Sequence, residues 1–355
     1  MAGIRRFGDY SPNPLIPAFL FSVILTDMSE TAVLLISIIA AAIPVLFYIG
    51  IVYWVDRYEK EPIWLLTATF LWGAVPSILI AYLVNGVLGL PFYLLTSAAN
   101  ADLLVAGLIA PVVEETVKGA AVLGIFLLWR DEIDSLLDGI IYGAMVGLGF
   151  GLVENVIYYV GQYQLGGLEA WGANIFFRGF VFGLNHALFT SITGLGIAAA
   201  RLTTHSLTKV IAPLVGWSTA VFLHTIHNLS VSFGSLTLMV GVLSDWGGIL
   251  LLLVIILWAL LQERDWLKRY LKEEVALGIL TMRQYEIACS GRLRIRQRWE
   301  VLSNGGFTAY WRTLQHHNRL SELAYKKHHY MLFKHEATLL KVALLREQIR
   351  RGGNN

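Results

Sequence analysis

The chain has 355 residues, 56% of them hydrophobic and 15% charged, with a mean hydropathy of +0.61. These values lie outside the soluble globular range and point to a polytopic membrane protein. The net charge of +2 hides a division: residues 1–262 hold 9 Lys and Arg against 16 Asp and Glu, and residues 263–355 hold 18 against 9. A basic tail behind an apolar body suits a cytoplasmic segment beside anionic lipid. Acidic and apolar residues dilute its positive charge, so nucleic acid is not expected as a partner. One cysteine, Cys289, excludes an intrachain disulfide.

Residues 1–30 carry Arg5 and Arg6, then Pro12, Pro14 and Pro17, with no small-residue cleavage pattern. The apolar stretch from Leu15 to Thr26 is short for a span, which needs about 20 residues. It reads as an interfacial or short spanning piece. Seven longer apolar runs follow, near 31–55, 63–85, 103–129, 136–160, 174–200, 209–233 and 237–262. The connections alternate in charge. Arg57 and Lys60, then Arg130, then Arg201 and Lys209 mark one side, whereas 86–102, 161–173 and 234–246 hold no Lys or Arg. The positive-inside rule puts the charged loops and the tail in the cytoplasm. The expectation is an all-α protein of the cell membrane with seven or eight transmembrane helices. Its three parts are an N-terminal segment 1–30, a spanning domain 31–262 and a mostly helical basic tail 263–355. Gly305-Gly306 and Gly352-Gly353 should break the tail, and its His316, His317, His328, His329 and His335 are expected at the surface.

The fourth run carries Gly139, Gly143, Gly147 and Gly151, one every four residues. Such a stripe lets helix backbones approach closely in lipid.

Polar residues inside these runs are the functional signal. An ionisable side chain at the bilayer centre costs about 2.5–3.5 kcal/mol on insertion scales. The third run nevertheless holds Glu114, Glu115 and Lys118. The fourth holds Glu154 and Asn155, the fifth Arg178, Asn185 and His186, and the sixth His224, His227 and Asn228. Counted at 1.5 Å per residue, the glutamates, His186, His224 and Asn228 all fall roughly 22–28 Å from the cytoplasmic boundary. Glu114 and Lys118 share a helix face, as do His224 and Asn228. Arg178 reads as a snorkelling residue or a counter-ion.

A carboxylate in an apolar layer becomes a usable general base, and adjacent carboxylates split their proton affinities, with Lys118 holding one ionised. Asn228 offers an amide N–H to a developing oxyanion. Glu and His together also suit zinc, which makes Glu154, His186 and His224 a candidate metal set that would activate water. Neither a serine elbow nor a buried cysteine competes, so hydrolysis by activated water fits best among bond-breaking chemistries.

The order Glu114-Glu115-x-x-Lys118, Phe150-x-x-x-Glu154-Asn155, His186 with Gly194 eight residues on, and His224-x-x-x-Asn228 resembles the PrsW family of intramembrane proteases. That family lies in the clan of the CAAX prenyl endopeptidases. The loop Asp56-Arg57-Tyr58-Glu59-x-Glu61-Pro62 is also similar to it, and the resemblance covers about residues 45–235. It implies cleavage of a membrane-anchored protein, such as an anti-sigma factor, near or within the bilayer. It further implies that Glu114 activates water with Glu115 assisting, and that His224 and Asn228 support the oxyanion. Two departures from the wider clan are visible: position 154 is glutamate rather than histidine, and Lys118 stands where arginine follows one residue later. A proton-coupled transporter using the same groups as a relay, or a non-catalytic scaffold of the same fold, are the competing readings.

Overall fold

The structure is a computed structural model and describes residues 28–352. The expected N-terminal segment falls almost wholly outside these residues. Among the described residues there are helices and connections, with no strand. Helix α1 is Glu30–Val55, opened by the Ser29 hydroxyl accepting from the Ala32 N–H. Helix α2 is Ile63–Leu95, with Pro62 immediately before it and a π-helical turn, Gly73–Ser77, around Pro76. A proline without its N–H cannot keep the regular ladder, and the bulge absorbs the mismatch. Helix α3, residues 98–128, consists of Ala98–Leu104, a π-helical turn Val105–Ile109, and Ala110–Leu128.

Helix α4 is Leu136–Phe176. A capping box starts it: Ser135 Oγ accepts from Asp138 N while Asp138 Oδ2 accepts from Ser135 N at 2.7 Å. Its ladder breaks at Gly166 and Gly167, the latter at φ +63°. A third π-helical turn, Phe177–Val181, leads into α5, Asn185–Arg201. Helix α6 is Ser206–Phe233 and α7 is Ser235–Ala276. The single residue between them, Gly234, sits at φ +100°, a conformation that side chains rarely adopt. The tail adds α8 (Met282–Ala288), α9 (Gly291–Phe333, broken at Gly306) and α10 (Glu336–Gly352).

Five stretches are long and apolar enough to cross a membrane: Glu30–Val55, Ile63–Leu95, Leu136–Arg201, Ser206–Phe233 and Leu236–Ala276. Residues 98–128 carry Asp102 as well as the Glu114, Glu115 and Lys118 cluster. The segment from Leu136 to Arg201 is 83% buried in its apolar window, against 11–28% for the others. The α4–α5 pair is therefore the hub, and the other long apolar helices surround it with much of their surface exposed. The glycine stripe explains how. A Cβ at Gly139, Gly143 or Gly147 would lie 2.3, 2.4 or 2.1 Å from the carbonyl oxygens of Gly194, Thr190 and His186. The two backbones therefore touch, antiparallel. On the opposite face Gly149 meets Phe70 O and Gly73 meets Val146 O, each at 2.0 Å from an added Cβ, which seats α2 equally close.

Three sequence expectations change. The 234–246 segment expected as a connection is helical from Ser235, because lipid depth and helix ends are different properties: hydropathy reports only the first. Helix α7 likewise continues through residue 262 to Ala276, and no Pro or Gly interrupts it there. The tail histidines are not all superficial. His317 and His329 are buried at 2% and 6% exposure. Arg298 Nε donates to His317 Nδ1 at 3.2 Å, and His317 Nε2 meets Gln297 Oε1 at 2.8 Å.

The tail shares a core with the spans. Leu65, Val122 and Leu137 pack in the same apolar cluster as Leu267, Leu323 and Leu345. Arg294, 1% exposed, donates to Tyr58 O (2.7 Å), Ala288 O (2.8 Å) and Ser321 Oγ (2.9 Å). Lys326 pairs with Asp134 Oδ2 at 2.9 Å. The loop 56–62 and the 129–135 connection are thereby held by the tail.

Candidate active site

Glu114, Glu115 and Lys118 sit on the α-helical part of α3, just past its π turn, facing α4, α5 and α6. Glu115 and Lys118 are fully buried and Glu114 is 7% exposed. Lys118 Nζ is 2.6 Å from Glu115 Oε1 and 3.7 Å from Glu114 Oε2, and it stands 4.0 Å over the Phe150 ring. Glu115 is fully engaged: it also meets His224 Nδ1 at 3.0 Å and accepts from Thr190 Oγ1 at 3.1 Å. Glu114 is the opposite case, since its buried Oε2 has no hydrogen-bond partner.

The histidines face this oxygen from two other helices. His224 on α6 gives Nδ1 to Glu115, so Nε2 is left toward Glu114 Oε2 at 3.8 Å. His186, in the first turn of α5, meets Glu154 Oε2 with Nε2 at 2.8 Å, and its Nδ1 lies 3.3 Å from Lys118 Nζ. Arg178 pairs with Glu154 and donates through Nε to Asn155 Oδ1 at 2.9 Å. Of the two readings offered for Arg178, the counter-ion is the observed one. Asn228 donates to Ala106 O at 2.7 Å. That carbonyl belongs to the π turn of α3.

Glu114, His186 and His224 each offer a donor atom, and the three atoms lie within 4.8 Å of one another. Two imidazoles and one carboxylate match catalytic zinc sites, in which a further position is left for water. Each imidazole gives its other nitrogen to a carboxylate, which sets the tautomer and ring orientation a metal ligand needs. The nearby ammonium of Lys118 lies closer to Glu115 (2.6 Å) than to Glu114 (3.7 Å), so the Glu114 oxygen is left without a hydrogen-bond partner. The donors therefore fit a divalent metal. Glu154, expected as a ligand, meets His186 and Arg178 and is not among the three clustered donors, which include Glu114.

Glu114, Glu154, His186, His227 and Asn228 line one polar cavity of about 70 Å³, the share of about two waters. A larger groove of about 410 Å³ between α5 and α6, lined by Ile192, Ala199, Ile211 and Val215, is apolar and holds no ionisable group. Of the two, only the small cavity is lined by ionisable side chains.

Residues 61–261 match the family model described as PrsW family intramembrane metalloprotease. The chain belongs to that family. The match contains every polar residue of the cavity. Protease PrsW of Geobacillus kaustophilus HTA426 is 32% identical over 171 residues, 46% of this chain and 67% of that protein. Protease PrsW of Bacillus subtilis 168 is 27% identical over 226 residues, 62% and 91% of the two chains. Protease PrsW of Clostridioides difficile 630 is 36% identical over 121 residues, 33% and 48%. No solved structure matches. As a PrsW protein the chain is an intramembrane peptidase.

Sequence reasoning did not single out Asp245 of α7. It is fully buried and meets His227 Nδ1 at 2.7 Å, while Asn185 Nδ2 donates to the same oxygen at 2.8 Å. The signal was present: Asp245 is a lone carboxylate in the apolar run 237–262.

Proposed function

We propose that the protein hydrolyses a peptide bond of a membrane-anchored protein, with the attacking water placed beside Glu114, His186 and His224. The observation that carries this reading is the clustering of those three donors within 4.8 Å of one another, with a buried Glu114 oxygen left unpartnered. These residues would hold a divalent metal, for which zinc is the best match to the donor set, and bound there it would supply a water acidic enough to ionise near neutral pH. Glu115 and Lys118 fix His224 and balance charge. Arg178, through Glu154, keeps His186 in one tautomer. Asn228 stands at the cavity wall with its amide on Ala106 O, and a small change at the π turn would let that amide reach an oxyanion. An anti-sigma-factor-type protein is the substrate class implied by the family resemblance.

The topology proposed is seven spans in residues 30–276, with the tail in the cytoplasm. The docking of Arg294 on Tyr58 O and of Lys326 on Asp134 supports it, since both connections lie on the Lys- and Arg-bearing side.

Purified wild type, E114Q, H186A, H224A and E154Q would be assayed for bound metal by mass spectrometry and for cleavage of single-span peptides in bilayers. The expected result is one zinc per chain, lost with activity in H186A and H224A, and weakened about 10–100-fold in affinity in E154Q. Cleavage by E114Q at the wild-type rate would overturn the proposal.

A further inference from the structure

Three imidazoles in this layer follow one rule: each hands a ring nitrogen to a carboxylate. His224 uses Glu115, His186 uses Glu154, and His227 uses Asp245. The first two also belong to the donor cluster with Glu114. His227 lies outside that cluster but lines the same polar cavity as Glu114, His186 and Asn228. Among the described residues nothing hydrogen-bonds its Nε2, and its side chain keeps 13% exposure toward the cavity. Phe182 packs edge-on against the ring at 4.9 Å, so the ring is held in place.

Asp245 is unusual for what surrounds it. It is a fully buried carboxylate on an otherwise apolar span, and its only partners are His227 and Asn185. Its second oxygen is unpartnered. A structural tie between α5, α6 and α7 could be made by neutral amides, without an ionisable group in a spanning helix. A carboxylate is needed where the imidazole must carry a proton.

We propose that His227 is a further catalytic residue, the donor of a proton to the leaving amine, and that Asp245 is its positioning residue. This rests on the peptide-bond hydrolysis read above. In the step, the water oxygen bonds to the acyl carbon and the C–N bond breaks. The nitrogen takes the Nε2 proton of the His227 imidazolium as it leaves. The proton lost by the water passes to a carboxylate of the cavity and then restores the imidazolium. The products are one acid and one amine.

The test uses full-length wild type, H227Q, D245N and E114Q in bilayers with single-span peptides, the cut bond being located by mass spectrometry. The peptide is then remade with an ester at that bond. An alkoxide leaves with far less need of a proton donor than an amine does. H227Q should lower kcat on the amide about 10²–10³-fold and on the ester less than tenfold, with KM little changed. D245N, which is isosteric, should show the same amide–ester split to a smaller degree. Equal losses on amide and ester in both variants, or wild-type kcat in H227Q, would overturn this proposal and leave the hydrolase reading intact. Wild type no more active than E114Q on any peptide would overturn both.

Discussion

Gly147→Ala tests whether the glycine stripe places the chemistry. The added methyl would lie 2.1 Å from the carbonyl oxygen of His186, 2.4 Å from its carbon and 2.7 Å from Ala187 Cα. Ordinary contact begins near 3.4 Å, so α4 and α5 must part by about 1.3 Å at this level. The obstacle is backbone and cannot rotate away. Overpacking of this kind costs about 1–3 kcal/mol, against the roughly 1 kcal/mol that Gly→Ala contributes in an unobstructed helix. The larger effect is on the site, because the displaced peptide carries the His186 imidazole. A misplacement of about 1 Å lowers rate on the order of 10²-fold. Melting in bilayer discs and the cleavage rate would be measured together. Gly124→Ala, where nothing lies within 4 Å, should be stable and active. Gly151→Ala, facing the His186 ring at 3.2 Å, should be intermediate. Full rate and unchanged melting in Gly147→Ala would refute the reasoning.

Glu115→Gln should behave differently from Glu114→Gln. It leaves the fully buried Lys118 ammonium without its closest partner, a loss of about 3–5 kcal/mol, and adding Lys118→Met should restore melting but not cleavage. Arg294→Met removes three donations that tie α9 to Tyr58, Ala288 and Ser321. Limited proteolysis should then release the tail, and Arg294→Lys should recover little because an ammonium cannot span the same fork. Tail docking should also depend on pH through His317. Burial first, then the charges of Arg294 and Arg298, pushes this imidazole down to about 2, so below about pH 6.5 the unfolded chain binds a proton that the folded one refuses. Stability from this group is complete above about pH 6.5 and falls as pH drops, by up to about 2 kcal/mol at pH 5. Burial raises Asp56 to about 7, which acts with the opposite sign over about pH 4–7. The comparison is therefore between wild type and His317→Gln, whose melting should be less sensitive to acid. Equal slopes would refute the assignment.

Much of the site was legible in one dimension because lipid makes ionisable residues expensive. Glu114, Glu115, Lys118, Glu154, His186 and His224 stand out against apolar runs, and their depths could be counted from the charged connections. The glycine stripe was legible for the same kind of reason, as a regular absence of side chains. Which residue pairs with which was not. Glu114 clusters with both His186 and His224, Glu154 meets His186 and Arg178, and Asp245 meets His227, because partner choice depends on the rotation and height of each helix. Those are set by backbone contact between α4 and α5 and by three π-helical turns, none of which hydropathy records. The tail shows the same limit. Its charge marked it as basic and apart, but Arg294, His317 and Lys326 are buried, since a docked helix hides whatever face its neighbours require. Sequence alone determined the membrane class, the polar layer and the candidate residues. Only tertiary structure decided their partners, because a charge in a low-dielectric interior is defined by what lies within a few ångströms of it.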